Sequence, residues 1–403
     1  MKLEGLAQKV MERCDTLAQF SEDEGALTRT FLSEPVHGVH EQVRSWLEAA
    51  GMSVRVDAVG NIAGRRAASN EDAPTLLIGS HFDTVRDAGR YDGMLGVLSG
   101  IAAAEALRDT ALPFHLELVG FSEEEGVRFG VPFLGSKAVT GAFDREMLGL
   151  RDENGVSVAE AISNFGLNPA DISGAAYDPE KLLGFVEVHI EQGPHLAALN
   201  RPLGVVSAVA GATRARVTFT GQAGHAGTTP MTLRRDALVG GAAFVLEVER
   251  HARGVPGLIA TVGQIAASPG APNVIPGAAV LSLDVRHATD EVRLEAVAAL
   301  QAEATEIAAA RDLGTDWQEL LNQAAVPLDP GFQSRLAQAA GNAPTLVSGA
   351  GHDVMVMASF TPSALMFVRS PNGVSHNPAE TVLLEDVAAA LAALITFVRG
   401  LRA

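Results

Sequence analysis

An α/β fold is predicted for this 403-residue chain: a mixed, largely parallel sheet flanked by helices, interrupted by an inserted α+β unit of ferredoxin-like order. Three observations predict it. Short apolar runs bounded by glycine or polar residues, LLIG, FHLELVGF, LGFVEVHI and ALMFV, alternate with helical patterns, as buried parallel strands do. From about Val206 the pattern changes to strict alternation and then follows the order β-α-β-β-α-β. Beyond residue 323 the α/β character returns. The expected division is therefore 1–206 with 323–403, and an insertion at 207–322.

The length itself exceeds what one hydrophobic core usually supports. A hydrophobic content of 47% with 19% charged residues is that of a packed protein. The net charge of −18 and pI near 5.0 argue against nucleic acid and anionic membranes as partners. The single cysteine, Cys14, excludes an intrachain disulfide and a cysteine-rich zinc site, and fits a reducing compartment. Any metal must then be held by His, Asp and Glu. The amino-terminal stretch lacks the apolar core and cleavage site of a secretory signal. No apolar run approaches the roughly 20 residues of a membrane span. A cytoplasmic location is the expectation.

In chain order, the amino terminus reads as an amphipathic helix ended by SEDEG, with Cys14 on an exposed face. A second helix over 37–50 is closed by Gly51. Residues 53–59 alternate as a strand and turn through Gly60-Asn61 into a partner at 62–65. The run Leu76-Leu77-Ile78 ends in Gly79-Ser80, after which come His81, Asp83 and then Asp92-Gly93. Residues 93–107 carry apolar and small side chains nearly all round, as a buried helix does. The strand at 114–121 runs into Ser122-Glu123-Glu124-Glu125-Gly126. Residues 142–181 are helical and loop-rich. The strand at 183–190 carries His189 and leads into Glu191-Gln192-Gly193-Pro194.

Within the insertion, 213–220 is a half-exposed strand and 221–231 a Gly-rich loop with His225. A helix at 233–252, strands at 258–265 and 279–287, a helix at 289–310 and a strand near 316–323 complete it. The remainder offers a helix at 332–340, the turn SGAGHD and a small helix. A buried strand at 364–368, a loop with His376 and a final helix at 384–401 close the chain.

Three consecutive carboxylates at a strand end repel one another unless a cation or donor sits beside them. The run at 123–125 is therefore either a solvated acidic turn or part of a cation site. A histidine inside an apolar strand, like His189, is more often a satisfied core residue than a ligand. Strand-end residues of a parallel sheet, however, lie along one edge even when far apart in sequence. His81 with Asp92, Glu124-Glu125, His376 and His189 would all meet there. Imidazoles and carboxylates without thiolates suit zinc, manganese or cobalt. An aspartate bridging two such cations about 3.5–4 Å apart makes a co-catalytic pair. A carboxylate beside them can move the proton of the attacking water. Nucleophilic catalysis has little support: there is no Gly-x-Ser-x-Gly elbow and no P-loop, and GSKAVTG resembles a phosphate loop only superficially.

Taken together, GSHFDTV, YDGMLGV, FSEEEGVRF, HIEQGP, GQAGHAGTTPM, NVIPG, LDVRH, GAGHD and GVSHNPAE resemble the dinuclear metallohydrolases of the aminoacylase and carboxypeptidase type. More narrowly, they resemble the hydantoinase/carbamoylase family, which includes allantoate amidohydrolase, N-carbamoyl-L-amino acid hydrolase and β-ureidopropionase. The resemblance spans nearly the whole chain. It implies two divalent ions per subunit (zinc or manganese, or cobalt), one held by His81 and His189, the other by Glu125 and His376, with Asp92 bridging. It implies Glu124 as general base and Asp83 as the carboxylate that orients His81. Glu123 stands next in line, and the family's Glu-Glu-Gly ending favours Glu124 and Glu125.

The inserted unit would be a dimerisation and lid domain, giving a homodimer. His225 would reach the substrate across the dimer and stabilise the oxyanion. Asn273 and Arg286 would bind the substrate carboxylate, and Gln192 its ureido group. By residue type alone, Arg286 reads rather as a strand-face charge and His225 as a loop residue. The implied reaction is cleavage of a carbamoyl C–N bond next to a carboxylate. FSEEEGVRF with FLGSKAVTG and SHNPAE look closest to allantoate amidohydrolases, which yield ureidoglycolate (or ureidoglycine), ammonia and carbon dioxide. N-carbamoyl-L-amino acid hydrolysis comes second and β-ureidopropionase third. A dipeptidase of the wider superfamily and a non-catalytic metal-binding scaffold are the remaining alternatives.

Overall fold

In the computed structural model, which describes residues 3–402, the chain leaves its first unit after Ser207 and re-enters it at Leu328. Met1–Ser207 with Leu328–Ala403 form that unit, and Ala208–Pro327 the second. Helix α1 (Leu3–Leu17) buries Leu6, Ala7, Val10, Cys14 and Leu17. Cys14 is thus not on an exposed face: it lies on the same helical stripe as Val10 and Leu17, which faces the core. Burial also pushes its thiol up, far from a reactive thiolate. Helix α2 (Pro35–Ala49) starts on a proline, whose missing N–H costs nothing in the first turn, and buries Val36, Val39, Val43 and Leu47.

Strands β1 (Ser53–Val56) and β2 (Ile62–Arg66) form the expected hairpin. Strand β3 (Thr75–His81) is buried at every residue, and so is β4 (His115–Phe121). Between them, helix α3 (Met94–Ala106) is buried from Met94 to Ala104, which requires its small and apolar composition. Helices α4 (Leu134–Val139) and α5 (Val158–Asn164) precede β5 (Leu182–Ile190). The stretch that resembles a phosphate loop is α4, with Gly135 packed on Asn61 and Ser122. After the short helix α6 (His195–Ala198) comes β6 (Leu203–Val209), a strand the sequence pattern did not reveal.

The second unit begins with β7 (Gly211–Thr220) and the short β8 (Gly224–His225). Helix α7 (Ala237–Gly254) starts later than its pattern predicts because Asp236 caps it, accepting the N–H groups of Leu238 and Val239. The expected strand at 258–265 is two strands, β9 (Ile259–Thr261) and β10 (Ile265–Ser268), both paired to one long partner. Then come β11 (Val274–Ile275), that partner β12 (Ala278–His287), α8 (Asp290–Ala310), β13 (Gly314–Gln323) and β14 (Val326–Pro327). The main sheet runs β10-β12-β7-β13, with β9 on β12, all antiparallel. Phe244 and Val248 of α7 and Leu300 and Ala304 of α8 pack with Val217, Phe219, Leu281 and Leu283. Val326 and Pro327 pair with Val209 and Ala208, so this unit runs to Pro327.

The first unit resumes with α9 (Pro330–Ala339), β15 (Thr345–Ser348), α10 (Val354–Met357), β16 (Ser363–Val368) and α11 (Leu384–Gly400). Its sheet runs β1-β2-β4-β3-β5-β16-β6, with β15 beside β6. The four central strands, β4, β3, β5 and β16, are parallel, while the flanking pairs are antiparallel. Parallel neighbours end on the same edge, so Phe121, His81, Ile190 and Val368 bring their following loops together. Among the described residues no helix is long and apolar enough to cross a membrane.

Candidate metal centre

His81 is the last residue of β3, and His189 is one residue short of the end of the adjacent β5. Asp92 approaches both from the loop before α3. Gly93 permits this approach: its φ is +68°, and a Cβ there would lie 2.6 Å from His81 Nδ1 and 2.5 Å from the His81 carbonyl oxygen. Asp92 Oδ1 lies 3.1 Å from His189 Nε2 and 3.5 Å from His81 Nε2. The two Nε2 atoms are 3.4 Å apart. Asp92 Oδ2 points the other way, 3.4 Å from His376 Nε2, which in turn lies 3.6 Å from Glu125 Oε1. One carboxylate is thus divided between two sets of donors.

Each imidazole is oriented by its other nitrogen. His189 Nδ1 donates to the Ile190 carbonyl at 2.9 Å. His81 Nδ1 faces the Asp83 carbonyl oxygen at 3.1 Å and Asp83 Oδ1 at 3.2 Å. Partners of this kind fix the tautomer that leaves Nε2 as a lone-pair donor. Asp83 does more: its Oδ1 accepts the N–H of Glu124 at 3.0 Å and its Oδ2 that of Glu125 at 3.1 Å. The residue beside His81 therefore also holds the acidic turn after β4.

Glu123, Glu124 and Glu125 are not a solvated turn. Glu123 and Glu124 are buried, and Glu125 is mostly so. Burial raises the Glu124 carboxyl well above its ordinary range, with Asp353, Asp83 and Asp92 adding to the effect. Glu125 is pushed up to about 9 by burial, Asp92 and Glu124. Burial and Asp83 raise Glu123, whose Oε1 accepts the Gly126 N–H. Burial opposes ionisation of Asp92, but His189, His376 and His81 together pull its pKa well below the usual range. For His81, burial favours the neutral ring, yet Asp83 and Asp92 hold its pKa well up. The ion pairs of Asp83, Asp92 and Glu125 among the described residues are all with histidines.

This donor set fits divalent cations. The triads His81, Asp92, His189 and Asp92, Glu125, His376 each offer ligand atoms within 4.8 Å of one another, as do His81, Glu124 and Glu125. Imidazole and carboxylate donors are those that zinc, manganese and cobalt take. Gln192, at a left-handed φ of 59°, reaches the same place: its Nε2 donates to Asp92 Oδ2 at 2.9 Å, and its buried Oε1 has no partner among the described residues.

The remaining predicted residues belong to the second unit. His225 is exposed and sits in β8, paired in register with Val274 of β11, while the Ala226 N–H donates to the Asn273 carbonyl at 2.9 Å. His225 and Asn273 are thereby neighbours. Arg286, on β12, makes a bidentate pair with Asp284, at 2.7 Å from Nε and 3.0 Å from Nη2.

Three supporting residues escaped the sequence reading. Asn61, read as a turn residue, is buried, accepts the Ser122 N–H at 3.0 Å and donates to the Gly135 carbonyl at 3.0 Å. Glu187 is a carboxylate inside a fully buried strand segment, accepting from Ser80 Oγ at 2.8 Å and the Val354 N–H at 2.9 Å. Its presence amid FVEVHI was a readable signal. Glu380 ends the motif SHNPAE and contacts the backbone of Asp92.

Residues 77–400 match the model of peptidase family M20/M25/M40. Over 98% of this chain and 82% of the relative, the sequence is 38% identical to an allantoate deiminase of Arabidopsis thaliana. It is 37% identical to an N-carbamoyl-L-amino acid amidohydrolase of Geobacillus stearothermophilus, over 96% of this chain and 95% of the relative. The crystal structure of a hydantoinase/carbamoylase family amidase from Burkholderia multivorans superposes with a TM-score of 0.91 at 32% identity, covering 97% of each chain.

Proposed function

The chain belongs to peptidase family M20/M25/M40, and from that premise we propose that it is a metal-dependent amidohydrolase cleaving the ureido C–N bond of a carboxylate-bearing substrate. The observation that carries the proposal is the division of Asp92 between His81 and His189 on one oxygen and His376 on the other, with Glu124 beside them. In this reading His81, His189 and Asp92 hold one divalent ion, and Asp92, Glu125 and His376 the other. Allantoate is the substrate we favour, since allantoate deiminases are among the relatives that match over nearly the whole chain. N-carbamoyl-L-amino acids come second, on the strength of the carbamoylase relatives.

When bound, divalent ions supply a water of lowered pKa and polarise the ureido carbonyl. Glu124 takes a proton from the attacking water and delivers it to the departing nitrogen. The sum is one ureido group plus water giving an amine, ammonia and carbon dioxide. Gln192 presents an unpartnered amide oxygen to the same place, able to accept a ureido N–H. His225 and Asn273, held side by side, and the planar guanidinium of Arg286 are assigned to the substrate's oxyanion and carboxylate.

The same reading gives a homodimer in the cytoplasm. The support for the dimer is the second unit's surface, where Val239 is 51% exposed, Leu246 66% and Ile259 55%. Val239 and Leu246, seven residues apart on α7, share one helical face, the arrangement that a contiguous apolar interaction surface requires. The test of function is ammonia release from allantoate, N-carbamoyl-L-amino acids, N-carbamoyl-β-alanine and simple dipeptides, after reconstitution with zinc, manganese or cobalt. Turnover of dipeptides alone would overturn the ureido assignment.

A further inference from the structure

The carboxylate of Glu380, although far from Asp92 in sequence, is built into the backbone that presents it. Its Oε1 accepts two successive main-chain donors, the N–H of Tyr91 at 2.8 Å and of Asp92 at 3.1 Å. Its Oε2 lies 3.3 Å from Ser375 Oγ, which itself lies 3.0 Å from Asp92 Oδ2. A hydroxyl has one proton, so Ser375 donates to one of these carboxylates at a time and ties the two together. Glu380 is only 4% exposed. The loop is moulded over it: a Cβ on Gly89 would lie 2.3 Å from Glu380 Cβ and 2.4 Å from its Oε1.

The other end of the same short segment carries His376. The Glu380 N–H donates to the Asn377 carbonyl at 3.0 Å, and Asn377 Oδ1 accepts the Ala379 N–H at 2.9 Å. This turn fixes the spacing between His376, at a left-handed φ of 53°, and the Glu380 carboxylate. One short hydrogen-bonded segment therefore grips the Asp92 main chain with Glu380 and faces Asp92 Oδ2 with His376.

We propose that Glu380 is the positioning residue for Asp92, holding its main chain in the register that turns Oδ1 toward His81 and His189 and Oδ2 toward His376. The inference rests on reading Asp92 as the shared ligand of two ions. Outer partners of metal ligands are worth about 10- to 100-fold in metal affinity. A role confined to Glu380's own loop would move stability and leave ion affinity alone.

The test is cobalt(II) binding to the metal-free full-length protein, followed by calorimetry and by the visible absorption of the bound ion. Wild type is expected to take two ions. Glu380→Ala is expected to weaken uptake of the second ion about 10- to 100-fold and to alter the absorption band. Glu380→Gln keeps an oxygen that accepts both N–H groups and is expected to restore most of that affinity. Gly89→Ala displaces the carboxylate without deleting it and is expected to reproduce the loss. It decides the matter if Glu380→Ala does not fold. Two ions bound with wild-type affinity and an unchanged band in Gly89→Ala, or a Gln variant as weak as Ala, would overturn the role of Glu380 alone. Uptake of a single ion by wild type would instead overturn the dinuclear reading, and this inference with it.

Discussion

Asp83 accepts the backbone N–H of Glu124 at 3.0 Å while its carboxylate also faces His81. A single side chain thus orients an imidazole and the turn that carries the proposed base and ligand. Asp83→Ala should lower metal affinity about 10- to 100-fold, as loss of an outer partner does. It should also lower kcat when metal is saturating, because the turn at Glu124 is released. Asp83→Asn, which keeps one acceptor, should fall between. Metal titrations and kinetics on the three proteins check the order, and a wild-type kcat in Asp83→Ala at saturating metal would refute the clamp.

Glu124→Gln should keep both ions and lose turnover. A positioned proton-transfer group contributes about 10²- to 10⁴-fold, so that is the expected fall in kcat. Metal content measured alongside the kinetics separates lost chemistry from lost metal. A variant with near-normal kcat removes Glu124 from the role of base.

Asp92→Ala should cost both ions, because its two oxygens face different donor sets. His81→Ala should first weaken one. Elemental analysis after identical reconstitution distinguishes them, and equal stoichiometries in the two variants would contradict a shared ligand.

Arg286→Ala should act mainly on KM for carboxylate substrates, with kcat much less affected. Arg286→Lys should restore little, since an ammonium lacks the planar fork. Steady-state kinetics with a carboxylate substrate and its amide checks this: an equal loss on both would mean Arg286 does not read the carboxylate.

His40 gives a pH effect remote from the ligands. Its Nε2 donates to the Gly60 carbonyl at 3.0 Å and its ring packs edge-on against Phe82 and Phe165. Burial pushes its pKa down from 6.5 to about 4. The unfolded chain therefore binds a proton near 6.5 that the folded chain refuses until about 4. This contribution to stability is whole above 6.5 and declines as pH falls toward 4, by up to roughly 3 kcal/mol at 1.36 kcal/mol per unit. His40→Gln keeps an N–H donor without the titration. Urea unfolding at pH 7 and pH 5 should show a smaller drop in the variant than in wild type, and equal drops would refute the account.

What could be read in the sequence was local. His81, Asp92, the Glu124-Glu125 pair, His189 and His376 stand at or just beyond the ends of short apolar strands, and a parallel sheet has only one edge for such ends. Features that depend on partners distant in the chain were not readable. Glu380 carries no local mark of its bond to Asp92, and Asn61 looks like any Gly-Asn turn. Strand β6 and β15 lack a long apolar run because one is rich in small residues and the other is only four residues long. Cys14 was misplaced because which stripe of a helix is buried is decided by what packs on it; here α3 and α11 do.

Strand β16 pairs with β5 only after the whole second unit has intervened, and it leads to the loop that holds His376 and Glu380. On the ribosome, His81, Asp92, Glu125 and His189 all emerge well before the segment that completes their surroundings. Chains fold from the amino terminus as they are made, at about 5–20 residues per second. For many seconds, then, a nascent chain displays four of the five proposed ligands with nothing opposite Asp92 Oδ2. On the dinuclear reading proposed above, secure loading with both ions follows translation, and a carboxyl-terminally truncated chain should emerge from cells with the metal of one site at most.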